Sequence, residues 1–149
     1  MASSARVAAL RFLKIRPRSI AELKGKLKTK GFSFDEIEAA VVYLMDIGLL
    51  DDRAFTKSWI AYRLARPFGF RRICAELQQK GVAKDIIEEA ITEAKGEYAE
   101  DKTVLDLALR RWERLSGIDP QKKKKRVFDF LVRRGYSMDA VIKVIKKLK

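Results

Sequence analysis

Asp51 and Asp52 stand side by side after Gly48-Leu49-Leu50 and ahead of Arg53-Ala54-Phe55, with Trp59 and Arg63 following. Neighbouring carboxylates can hold a divalent cation, but magnesium needs oxygen ligands arriving from several directions, and the sequence offers no matching third carboxylate. The pair suits a helix start better, where carboxylates meet unpaired backbone N–H groups and the positive end of the dipole. Leu50, Phe55 and Trp59 then supply an apolar stripe on that helix.

Arginines supply the second feature. Arg63, Arg66, Arg71 and Arg72 flank Pro67-Phe68-Gly69-Phe70, an arginine-rich elbow that is expected to join helical units one and two. Guanidinium groups grip phosphate or carboxylate through paired N–H donors, and Phe68 or Phe70 can stack on a base or plug a partner's pocket. Packing of Phe70 against the next helix is the alternative use. Lysines supply the third. Lys122, Lys123, Lys124, Lys125 and Arg126 open a helical segment that also carries Arg133 and Arg134, and a smaller cluster lies at Lys24, Lys26, Lys28 and Lys30. With Val127 and Leu131 facing inward, such a perimeter can touch phosphates without reading sequence, or be a solvated helix surface.

What is missing excludes more. The sequence has no histidine and one cysteine, Cys74, so an imidazole-based triad and an internal disulfide are both ruled out. Neither a glycine-rich phosphate loop nor a nucleophile motif is found, and no cofactor, metal or enzyme activity is expected. Cys74 lies near Ile73 and Leu77 and reads as a small buried residue. The longest apolar run, Ala39–Met45, is seven residues, far short of the ~20 needed to cross a bilayer. A cytoplasmic protein without membrane contact is the expectation.

Charge is divided along the chain. The net charge is +13, made of +8 over residues 1–30, −5 over 31–101 and +10 over 102–149. Basic ends attract a polyanion or an acidic protein surface, and the acidic middle is repelled by either.

The elements that must position these groups show a threefold repeat. Gly31, Gly81 and Gly135 are preceded by Leu27, Leu77 and Leu131 at four residues, and by Leu23, Ile73 and Val127 at eight. Phe32, Val82 and Tyr136 follow them directly; Ile37, Ile87 and Val141 come six residues later, and Val41, Ile91 and Ile145 ten residues later. Apolar positions four apart on both sides of a glycine predict two amphipathic helices joined by a tight turn. Ser19 with Glu22 and Ser33 with Glu36 have the spacing of reciprocal helix caps, whereas in the third unit Ser137 is followed by Ala140 instead of an acid. A further helix is expected before each pair, near residues 3–15, 52–65 and 98–115, next to Pro17, Pro67 and Pro120.

The prediction is an all-α chain of tandem three-helix repeats at 1–49, 50–95 and 96–149, forming an elongated, curved array, with a single globular bundle as the alternative. A sequence-reading helix-turn-helix is disfavoured by charge. Asp35, Glu36 and Glu38 crowd the helix after Gly31, and Asp85, Glu88 and Glu89 the helix after Gly81, with the wrong sign for phosphate.

These residues together resemble the bacterial regulatory protein RecX family over nearly the whole chain. The resemblance is carried by Gly48-Leu49-Leu50-Asp51-Asp52-Arg53-Ala54-Phe55 with Trp59 and Arg63, by Gly69-Phe70-Arg71-Arg72-Ile73 through Leu77 to Gly81-Val82, and by Arg133-Arg134-Gly135-Tyr136-Ser137. The family implies tandem three-helix repeats and a modulator of the RecA recombinase that binds the RecA–single-stranded-DNA filament along its groove. It also implies restraint of filament growth, ATP hydrolysis, strand exchange and coprotease activity. In that setting Asp51, Asp52, Phe55, Trp59, Arg63, Arg66, Arg71 and Arg72 are expected as fold signature or protein contact. Lys24, Lys28, Lys122–Lys125, Arg126, Arg133 and Arg134 are the candidates for weak, nonspecific contact with single-stranded DNA, in a protein acting as a monomer. Val82 and Ala83 depart from the family's aromatic and cap, and the third helix pair is unusually rich in lysine. A stand-alone nonspecific DNA-binding protein and a helical adaptor for another partner are the competing readings.

Overall fold

The computed structural model describes residues 4–149, which form nine helices and no strand. In chain order these are α1 Ala5–Ile15, α2 Ile20–Thr29, α3 Phe34–Asp46, α4 Asp52–Leu64, α5 Phe70–Gln79, α6 Lys84–Glu97, α7 Glu100–Arg114, α8 Pro120–Arg133 and α9 Met138–Lys147.

The repeat glycines end α2, α5 and α8 in the left-handed region, at φ of +94°, +76° and +90°, a conformation that a Cβ would strain. At each turn the following residue donates its N–H back to the leucine five positions earlier: Phe32 to Leu27, Val82 to Leu77 and Tyr136 to Leu131. These bonds satisfy carbonyls that a helix end leaves open. The leucines themselves are fully buried, as are Leu23, Ile73 and Val127 one turn earlier, each contributing about 1.5–3 kcal/mol by leaving water.

Caps set the helix starts. Ser19 accepts from the Glu22 N–H while the Glu22 carboxylate accepts from the Ser19 N–H, closing the reciprocal cap. Ser33 accepts from the Glu36 N–H at 3.2 Å. In the third unit the acid missing at Ala140 comes from elsewhere: the Ser137 N–H donates to Glu100 on α7 at 3.4 Å.

The chain divides into two compact units, one running to Trp59 and including Leu77–Ala90, the other made of Ile60–Glu76 and Ile91–Lys149. In the first, α1 packs on α2 and α3 around Ala9, Leu23, Leu27, Val41 and Leu44. In the second, α7, α8 and α9 enclose Val104, Ala108, Val127, Leu131, Tyr136 and Val141.

The elbow at residues 65–69 corrects one expectation. It connects α4 to α5 inside the middle helical unit, so it does not join units one and two. It meets the third unit instead. The Gly69 N–H donates to the Arg134 carbonyl at 2.7 Å, and the Arg71 N–H to the Gly135 carbonyl at 3.0 Å. A Cβ on Gly69 would stand within 3.0 Å of the Gly135 backbone, so only glycine fits there.

Candidate functional site

The chain turns tightly around Pro67, with the Phe68 N–H donating to the Arg66 carbonyl at 2.6 Å, and the backbone bonds to Arg134 and Gly135 place Phe68 beside α8. Guanidinium groups surround the Phe68 ring: Arg63 lies 3.9 Å from its centroid, Arg72 4.4 Å and Arg134 4.9 Å. Arg134 also reaches the Phe130 ring at 5.2 Å and bonds the Pro67 carbonyl at 3.4 Å. Phe68, Arg72, Phe130, Arg133 and Arg134 line a shallow depression of about 360 Å³. Aromatic faces hold cations in place without neutralising them. Among the described residues no ion pair involves Arg72, Arg133 or Arg134. Their charge is therefore available to a phosphate or a carboxylate from outside.

Arg63 differs from its neighbours. Its Nε and Nη2 bond both oxygens of Glu76 at 3.0 and 2.8 Å, with little of either side chain exposed. That side-on pair ties α4 to α5 and occupies the face that would grip a ligand. Arg66 is exposed and lies over Tyr62 at 4.6 Å, and Arg71 is exposed.

The lysine run on α8 is not uniform. Asp119 caps the helix by accepting from the Lys122 N–H. Lys123 folds over Trp112 at 4.2 Å, and Lys125 pairs with Asp129 one turn on at 3.5 Å. Lys122 and Arg126 are exposed, Lys124 half-buried. Cations in a first helical turn face the dipole with the wrong sign, at about 0.3–1 kcal/mol each.

In the other unit Lys24 pairs with Glu38 at 2.9 Å, whereas Lys28 is exposed. The acidic pair is used within the fold. Asp51 accepts from the N–H groups of Arg53 and Ala54, starting α4, and Asp52 accepts from the Ile20 N–H at 2.8 Å, at the start of α2. Burial pushes the Asp52 carboxyl above its ordinary value, against the Ile20 bond, with Asp51 and Glu22 adding to the rise. Phe55 is buried and stacks on Trp59, and the Lys80 ammonium lies over the Trp59 ring at 4.3 Å. Burial likewise raises the Cys74 thiol.

Phe130 and Arg111, 5.0 Å apart across α7 and α8, belong to the same cationic and aromatic surface and were not singled out by sequence. The four-residue step from Phe130 to Arg134 on one helix was the available signal.

Family models match all three helical units: RecX first three-helix domain over residues 5–44, second over 51–91 and third over 99–145. The Regulatory protein RecX of Prosthecochloris aestuarii is 36% identical over 141 residues, covering 94% of this chain and 90% of the relative. That of Chlorobaculum tepidum is 37% identical over 146 residues, covering 97% and 88%. The crystal structure of RecX from Lactobacillus salivarius shares the fold, with a TM-score of 0.83 at 24% identity over 97% of this chain and 94% of that one. Since the domain models span three successive helical units and the relatives align almost end to end, this chain belongs to the RecX family of regulatory proteins.

Proposed function

We propose that this protein binds the RecA recombinase filament on single-stranded DNA and restrains its extension, ATP hydrolysis, strand exchange and coprotease activity. It does so as a cytoplasmic monomer, through repeats at 1–49, 50–95 and 96–149 that contact successive protomers. The observation that carries the reading is the set of arginines beside Phe68 and Phe130, of which Arg72, Arg133 and Arg134 form no ion pair among the described residues, in a chain that belongs to a family of regulators. Weak contacts linked along one chain gain from high effective concentration, so no single repeat needs to bind tightly. Regulation then follows from differential affinity: the filament state that this protein binds better becomes the populated one.

Exposed Lys122 and Arg126 at the start of α8 favour a second reading, a nonspecific nucleic-acid binder that needs no recombinase. Titrating the protein into RecA-dependent ATP hydrolysis on single-stranded DNA, beside direct binding to naked DNA, separates the two. The regulator inhibits at concentrations at least about tenfold below those that coat naked DNA. Inhibition that only tracks DNA coating establishes the second reading.

A further inference from the structure

The three glycine turns are built alike, but they are not used alike. At Gly81, the start of α2 sits on the turn: the Ser19 hydroxyl donates to the Lys80 carbonyl at 2.5 Å, and Glu22 pairs with the Lys80 ammonium at 3.4 Å. A Cβ on Gly81 would meet Ala21 within 3.0 Å. At Gly135, the start of α5 does the same. The Gly69 N–H donates to the Arg134 carbonyl, and a Cβ on Gly135 would meet Arg72 within 3.0 Å. In both cases the carbonyl just before the glycine accepts from the first residues of an incoming helix.

The Gly31 turn has the same backbone, and among the described residues no incoming helix start sits on it. A Cβ on Gly31 would meet nothing within 4 Å, and among the described residues no hydrogen bond reaches the Lys30 carbonyl. The residue after the glycine records the difference. Val82 and Tyr136, at the covered turns, are 6% and 0% exposed, whereas Phe32 is only half-buried. Phe12, Ile15, Gly31 and Phe32, with Arg11 and Lys30 and one acid, Glu36, line an open depression of about 530 Å³, and Ile15 is 75% exposed.

We propose that the Gly31 turn is a docking socket for the N-terminal turn of a helix on a partner protein, one carrying a small residue against Gly31 and a carboxylate for Lys30. The internal precedent sets the shape and the charge sets the sign. Lys30 holds the place of Lys80, which takes Glu22, and Arg11 and Lys28 add positive charge around it. A bare helix N-terminus would bring its own positive dipole to this basic rim, so the acid is required. The start of α8 in a second copy, with Lys122 to Lys125, has the wrong sign.

Docking at the Gly31 turn does not depend on binding to a recombinase filament, and the experiment needs no recombinase. The probe is a side-chain-stapled peptide beginning Ser-Ile-Ala-Glu, followed by alanine-rich helix, its helicity verified by circular dichroism. Titrated into the full chain, it is expected to shift the amide resonances of Lys30, Gly31 and Phe32. Lys30→Glu weakens binding about tenfold, and a peptide with Lys in place of its Glu restores binding to that variant. No binding at millimolar peptide, or equal binding to Lys30→Glu, overturns the proposal. So does oligo-dT shifting the same amides at lower concentration, which assigns the turn to phosphate. Self-association of the chain that Lys30→Glu abolishes also overturns it, by making a second copy the occupant.

Discussion

At Gly81 the arriving helix brings a serine hydroxyl and a glutamate, while at Gly135 it brings a backbone N–H from a glycine and no acid. The same carbonyl is satisfied in both places, yet the surroundings differ in charge. Glu22 draws in Lys80 and Arg16, so the first turn is electrostatically closed. Using backbone at the second leaves Arg72 and Arg134 unneutralised beside Phe68, and the turn doubles as a cationic surface. Replacing a side-chain donor by a main-chain one is thus how the fold keeps its packing and frees its charge.

The largest effect that would break this comparison is steric. Gly69→Ala places a methyl group against the Gly135 backbone and is expected to destabilise by about 3 kcal/mol, because backbone cannot move aside as a side chain can. Gly31→Ala, in open space, meets only the strain of positive φ, about 1 kcal/mol. Urea unfolding of the two variants measures the difference, and equal losses would refute it.

Next comes charge at the closed turn. Burial raises the Glu22 carboxyl, but the Arg16 hydrogen bond, the Ser19 N–H and Lys80 outweigh it and hold the group below its ordinary 4.5. A carboxylate held low contributes stability above its unfolded value and loses it as the pH falls through the folded one. Glu22→Gln should therefore lose about 1–2 kcal/mol at pH 7, with the gap to the parent closing under acid. A loss that persists unchanged in acid unfolding curves would assign the effect to packing.

At the open surface the effect is on binding. Arg133→Ala should leave thermal stability within about 0.5 kcal/mol and lower the salt dependence of single-stranded DNA binding by roughly one phosphate contact. An unchanged slope would remove Arg133 from the contact surface. The smallest effect belongs to Asp52, whose carboxyl is raised by burial, so its ionised form is disfavoured at neutral pH and the fold gains as the pH falls toward 3.8. Asp52→Asn keeps an acceptor for the Ile20 N–H and should unfold at the parent's temperature or slightly above; a marked drop would show that the charge itself holds α2.

Helices and turns were legible because their causes lie within a few residues. Ser19, Ser33 and Ser137 cap where their spacing indicates, and each repeat glycine turns the chain as its neighbours require. The elbow's place in the fold is not legible for the opposite reason: Pro67 and Gly69 announce a bend, but its partner, Gly135, lies 66 residues after Gly69. Phe32 shows the same limit, since the repeat pattern assigns it the place of Val82 and Tyr136 and only the missing incoming helix leaves it half-open.

Charge divides most clearly into what each level decides. By itself the sequence determined nine helices' worth of periodicity, the register of the apolar columns and the family, since local hydrogen bonding and burial repeat with the chain. Which cations remain available was decided only by the tertiary structure. Lys24 meets Glu38, Arg63 meets Glu76 and Lys80 meets Glu22 across helices, while Arg72, Arg133 and Arg134 meet rings or solvent. An ion pair depends on distance in space, and a count along the chain carries no such distance.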